Sequence, residues 1–123
     1  MEGKNKPGVS LIENAIKEGW IRVIPIKNTD TARLLLTILD YGEAEAIVLA
    51  QETQADLIIL DNREPRLFAS QAGLKVIGTI GVILKGYKRG LVKDPMTEIY
   101  KLKKQGFYIS DRLLAYVRSI INE

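Results

Sequence analysis

The stretch GEAEAIVLAQETQADLIILDNREP, residues 42–65, sets two carboxylates at the start of an apolar helical pattern and another at the end of an apolar strand pattern. From Tyr41, after the candidate cap Asp40, apolar residues recur almost all round to about Thr53, which marks a buried helix. LIILD, residues 57–61, is a continuous apolar run, the pattern of a parallel strand covered on both faces, and KVIGT, residues 75–79, is a shorter run of the same kind. Between them PRLFASQAG, residues 65–73, reads as a helix closed by Gly73. Strand, helix, strand in that order is most simply a right-handed βαβ crossover, so the fold class is α/β with a sheet at least partly parallel.

Working outward, SLIENAIKEG at residues 10–19 predicts a helix. Ser10 and Glu13 have capping-box spacing, Ile12, Ala15 and Ile16 form a stripe, and Gly19 stops it. WIRVIPI, residues 20–26, is β-rich, with Pro25 placing it near a sheet edge or strand end and Trp20 assigned to the core. TARLLLTIL, residues 31–39, predicts a second helix. Towards the C-terminus three more follow, TIGVILKGYKRG, PMTEIYKLKKQG and SDRLLAYVRSII, the last with Ser110 as cap and Ile109 and Leu114 placed as a hydrophobic staple. A length of 123 residues suits one domain, and 46% hydrophobic content is ample for its core.

Composition removes whole chemistries. With no cysteine and no histidine, thiolate nucleophiles, zinc sites built on those residues and Ser-His-Asp triads are unavailable. Carboxylate, hydroxyl, Lys, Arg and Tyr chemistry remains, and clustered carboxylates most naturally hold hard cations such as magnesium or manganese. The net charge of +3 agrees with a polyanionic partner without requiring one. No apolar run approaches a membrane span, and the charged opening MEGKNKPG is not a secretory signal, so the expected compartment is the cytoplasm.

In an open parallel sheet, ligands gather beyond the carboxyl ends of the strands, and Asp61 stands there. Were Asp61 the cap of the next helix, Pro65 would fall at the fourth helical position, where its missing N–H deletes the first intrahelical bond. A cap at Asn62 or later puts Pro65 within the first turn and frees Asp61, leaving it a site residue or an ordinary loop aspartate. Glu43 ends a stripe with Ile47 and Ala50, yet its spacing from Asp40 also fits a capping box; Glu45 is the alternative acid if the helix is rotated. Arg63 and Arg66 have helical i, i+3 spacing, and Lys85, Lys88 and Arg89 share a face that is either solvated or suited to phosphate. GTIG, residues 78–81, is too short for a phosphate-loop fingerprint, and Thr79 reads as a helix cap.

Taken together, LDYGEAEAIVLAQETQADLIILDNRE, LKVIGTIGVILKGYKRGLV and KKQGFYISDRLLAYVRSII resemble a PIN-domain-like family of small prokaryotic proteins, predicted to bind nucleic acid or to be toxin ribonucleases of toxin-antitoxin pairs. The resemblance runs from about residue 10 to the end and is most specific in GEAEAI, ADLIILD and VIGTIGV. It implies a PIN-like three-layer α/β/α fold with a mostly parallel sheet. It also implies a nuclease site where carboxylates gather Mg²⁺ or Mn²⁺, with Glu43 and Asp61 as catalytic and metal-binding residues and Arg63 and Lys85 as weaker candidates for contacting RNA.

One departure from the family qualifies this expectation. Its members open with a strand carrying an Asp, and this chain lacks that opening, so it corresponds to the C-terminal two-thirds of the usual domain, an N-terminally truncated single domain over residues 1–123. Two outcomes follow. One is a Mg/Mn-dependent ribonuclease domain with an incomplete acidic site, acting on RNA and paired with an antitoxin protein. The other is a catalytically inactive remnant that binds or oligomerises, its open sheet edge covered by a homodimer partner or a complementing chain.

Overall fold

In the computed structural model, which describes residues 8–122, the chain forms helices and a two-stranded parallel sheet, and its contacts divide it into residues 1–54 and residues 55–123. The charged opening, residues 1–7, lies outside the described residues.

The first unit holds α1 (Val9–Glu18), α2 (Thr29–Leu35) and α3 (Tyr41–Thr53). α1 begins one residue earlier than its pattern predicts, with Gly8 at the cap position, so Ser10 sits inside the first turn and does not cap. It ends where expected: Gly19 adopts φ 87 and donates its N–H to the carbonyls of Ala15 and Ile16, a left-handed closure that costs glycine nothing. Only Ala15 of the predicted stripe is buried. Trp20, assigned to the core from sequence, is 72% exposed, and residues 20–26 form no strand. A β-rich segment becomes a strand only when another backbone completes its ladder, and no described strand pairs with this one.

Asn28 caps α2 by accepting the N–H of Thr31, so the helix starts two residues before the apolar pattern does. α3 matches its prediction at both ends. The Asp40 side chain accepts the N–H of Glu43, and the Glu43 side chain accepts the N–H of Asp40, closing the capping box. Ala44, Ile47, Val48 and Ala50 fill the buried side of α3. From its last turn Glu52 reaches back to the start of α2, where its carboxylate accepts the N–H groups of Lys27 at 2.9 Å and Asn28 at 2.7 Å.

The second unit runs β1 (Ile58–Ile59), α4 (Arg63–Gln71), β2 (Val76–Ile77), α5 (Thr79–Lys88), α6 (Pro95–Lys104) and α7 (Asp111–Ile121). β1 and β2 are parallel, with Ile58 opposite Val76 and Ile59 opposite Ile77, as the strand, helix, strand order requires. The sheet is smaller than LIILD and KVIGT suggest, and it is not covered on both faces. Ile58 and Leu60 are buried while Ile59 is 59% exposed, because successive side chains point to opposite faces and only one face is packed. The chain is therefore α/β, rich in helix, with a minimal parallel pair of strands.

α4 is capped at Asn62, so Pro65 falls within its first turn. α5, α6 and α7 enclose a core of Ile80, Leu84, Ile99, Ile109, Leu114 and Val117. Ser110 caps α7 by accepting the N–H of Leu113, and Ile109 and Leu114 are both buried in that core, as the staple requires.

Two features of the first unit are open to measurement. Gln54 closes α3 at φ 53, a left-handed conformation in which a side chain costs about 1 kcal/mol or more. Gln54→Gly is expected to raise the urea midpoint by an amount equivalent to roughly 0.5–1 kcal/mol once the looser unfolded chain is counted. Secondly, the hydrogen bonds from Lys27 and Asn28 lower the pKa of Glu52. A lowered folded-state pKa contributes stability above the ordinary glutamate value, lost as pH falls through the folded value. Glu52→Gln should accordingly flatten the acid limb of the stability-pH curve while changing the neutral-pH midpoint less than Glu52→Ala does.

Candidate functional site

Asp61 follows β1 directly, and its carboxylate spans to the beginning of α5. Oδ1 accepts the backbone N–H of Thr79 at 2.8 Å and Oδ2 accepts the Thr79 hydroxyl at 2.7 Å. This corrects the reading of Thr79 as a cap: Gly78 holds that position and has no side chain to offer, so the acceptor comes from a residue 18 positions earlier. An anion is also the favoured charge at the positive end of a helix.

Arg66 completes the arrangement. From α4 its Nη1 donates to the carbonyl of Leu60 at 2.8 Å, holding the end of β1 from the other side. Gly78 lies where these groups converge. A methyl group there would come 2.9 Å from Nη1 of Arg66 and 3.1 Å from Oδ1 of Asp61, so a side chain at this position would have to displace the Arg66 guanidinium. The sequence signal is a glycine directly between strand and helix, in a GTIG stretch too short to carry a fingerprint of its own.

A groove of about 740 Å³ opens at this point, lined by Asp61, Arg66, Gly78, Phe107, Tyr108 and Tyr116 among others. Asp61 and Arg66 also border a second depression with Arg63 and Lys75. Of the residues singled out in the sequence, Asp61 and Arg63 thus come together. Lys85 lines neither depression; it stands six residues beyond Thr79, about 9 Å along α5. Glu43 and Glu45 belong to the first unit. There Glu43 is half-buried in its capping box, and Glu45 borders a small cavity with Thr29, Arg33 and Tyr41.

Among the described residues no three acidic side chains gather into a group that could hold a metal ion. In the second unit the groove offers a hard cation one exposed carboxylate, already oriented by Thr79, with Arg66 close to the same point. That donor set fits magnesium held mainly through water, which needs only one or two carboxylates, and does not fit a cage of several acids. Bonding to Thr79 leaves lone pairs on both oxygens and aims the carboxylate, as the supporting partner of a ligand does.

The linked geometry makes a specific expectation for stability. Gly78→Ala should push Arg66 off the Leu60 carbonyl and cost on the order of 1 kcal/mol, the worth of one such bond. In an Arg66→Ala background the same change should cost clearly less, because the atom it displaces is gone. Urea denaturation of the two single variants and the double variant checks this; strictly additive costs would show that Gly78 and Arg66 are not coupled.

Neither a curated protein nor a solved structure matches the chain. A family model described as PIN domain does match, over residues 1–123, and its span includes α3, the parallel strands, Asp61 and the groove beside it. By that match, the chain belongs to the PIN-domain family.

Proposed function

We propose that the chain is a nuclease-like domain that cleaves RNA with the help of Mg²⁺ or Mn²⁺, and that Asp61 is its principal metal-binding acid. The observation that carries this reading is the Asp61 carboxylate itself: exposed at the carboxyl end of β1, aimed by two hydrogen bonds from Thr79, and opening on a groove in a member of the PIN-domain family. When bound, a divalent ion supplies an activated water for attack on a phosphodiester and offsets the charge that builds there.

The chain's own residues have separate tasks in this proposal. Asp61 holds the cation and Thr79 fixes the carboxylate's direction, so that little reorganisation is needed on binding. Arg66 stiffens the end of β1, and Arg63, exposed on the first turn of α4, contacts the phosphate backbone. Glu43, engaged in its capping box, and Glu45 remain candidate acids of the first unit. Lys85 is the weakest of the candidates, since it lies at the far end of α5 from Asp61.

A second reading is favoured by a different observation. Ile59 on β1 and Trp20 and Val23 beyond α1 are large apolar side chains left exposed, which suits a binding or oligomerising module. Light scattering on the purified chain separates the two: a stable dimer without RNA cleavage supports the module, and a cleaving monomer dismisses it.

The nuclease reading is tested first by unfolding. Millimolar Mn²⁺ should raise the thermal midpoint of the parent by several degrees, since a ligand that binds only the folded state stabilises it by mass action. Asp61→Asn should remove that shift and reduce cleavage of single-stranded RNA by on the order of 100-fold or more, comparable with losing a main catalytic contact. Undiminished metal-dependent cleavage in Asp61→Asn would sink the assignment.

A further inference from the structure

The net charge of +3 conceals an uneven distribution. Residues 55–123 carry twelve basic and seven acidic side chains, whereas residues 1–54 carry six basic and eight acidic. Within the second unit the excess is steepest at residues 101–118, a stretch with Lys101, Lys103, Lys104, Arg112 and Arg118 but one acid, Asp111; of these cations Lys101 pairs with Glu98 and Arg118 donates to the Tyr100 hydroxyl. This segment ends α6, crosses the groove wall at Phe107 and Tyr108, and continues through most of α7.

The aromatic residues of that segment do not behave as core. Tyr108 is 85% exposed and Tyr116 is 59% exposed, although both line the groove that Asp61 borders. Phe107 differs: it is half-buried and packs against the core of α5, α6 and α7. Tyr116 stands four residues after Arg112 on α7, a spacing that puts a ring and a guanidinium on one helical face. Leaving two tyrosines in water has no folding benefit, and placing them in a groove that Arg66 also lines, on a segment rich in cations, matches how proteins hold unpaired strands. There, phosphates lie along basic residues while bases stack on aromatic rings. A paired duplex hides its base faces and has no use for such rings.

We infer that Tyr108 and Tyr116 form a stacking platform for the bases of a single-stranded nucleic acid, whose backbone follows the basic residues of the α6–α7 segment towards Asp61. The inference rests on the nuclease reading for the direction of the strand, but the platform itself is a binding device and operates without cleavage. It makes the preference for unpaired substrate a property of two tyrosines, and it leaves sequence preference weak, because every base has a face to stack.

The experiment is equilibrium binding of a fluorescently labelled single-stranded 12-mer oligoribonucleotide to the full chain in EDTA and low salt, where no metal-dependent cleavage intervenes. Tyr108→Ala and Tyr116→Ala should each raise Kd by about 5-fold or more, the range expected for losing one base-aromatic stack. Tyr108→Phe and Tyr116→Phe should bind as the parent does, because a phenyl ring stacks without the hydroxyl. A duplex of the same length should bind more weakly and be indifferent to all four changes. Added salt should weaken every variant in parallel, as phosphate contacts dictate. Tyr108 is so exposed that its truncation leaves the fold intact, and an unchanged thermal midpoint verifies this for each variant.

Alanine variants that bind like the parent overturn the inference, as do phenylalanine variants that lose as much as alanine. A parent that fails to bind the 12-mer also overturns it and leaves the groove to a protein segment. If tyrosine-dependent binding is present but the parent cleaves nothing with Mn²⁺, the nuclease reading falls and the platform stands. If cleavage proceeds with the same KM in the alanine variants, the platform falls and the nuclease reading stands.

Discussion

The second unit depends on one carboxylate being in two places at once. Two-residue strands provide few ladder hydrogen bonds; at their margins Ile58 donates to the Lys75 carbonyl and Leu60 to that of Ile77, each at 2.9 Å. A parallel pair that short is a weak organiser by itself. What couples it to the helices is Asp61, which leaves β1 and supplies the acceptor that α5 lacks at Gly78. With the start of α5 held to the end of β1, Ile80 and Leu84 are delivered into the core shared with α6 and α7. The same link determines where the groove opens, since Gly78 and Asp61 both line it. Arg66 on the Leu60 carbonyl repeats the coupling from α4, so the end of β1 is held by one anion and one cation, each working at a backbone group.

Elements whose cause is local could be read from the sequence. Asp40 and Glu43 announce α3 because both halves of a capping box lie three residues apart. Pro65 locates the start of α4 by exclusion, and Ser110 with Ile109 and Leu114 gives the start of α7. The parallel relation of β1 and β2 follows from chain order alone. Where the cause is remote, the pattern misled. The β-rich residues 20–26 carry strand propensity but find no ladder, and Trp20 was placed inside on hydrophobicity although burial depends on what arrives to cover it. The role of Glu52 has no local sign in the sequence, since the amides it binds are 24 and 25 residues away.

The site divides along the same line. The position of Asp61 could be argued from topology, because strand ends are where α/β sheets present side chains to ligands. Its partner could not, since Thr79 has an ordinary local role available at a helix start and nothing nearby in sequence says that role is filled from β1. Tyr108 and Tyr116 are not legible in the sequence for a related reason: a tyrosine near a helix pattern is usually core, and only its exposure in the folded chain separates a ring that packs from one that stands in water.

A surface meant for a polyanion would ordinarily keep acids away, and Asp61 stands in the groove regardless. Its structural bonds to Thr79 explain why it cannot be removed cheaply, but they do not neutralise it, because hydrogen bonds disperse a charge without cancelling it. Arg66 is committed to a carbonyl, so it softens the field near Asp61 without serving as a dedicated counterion. On the proposed reading, a phosphate entering the groove would therefore meet the negative charge of Asp61. Two arrangements resolve that repulsion: the strand stops short of Asp61, or a cation enters with the phosphate and is shared between them. The second turns an electrostatic defect into a requirement for metal. It also explains how a single oriented carboxylate could suffice, since part of the ion's coordination would come from the nucleic acid and from water instead of from further acids.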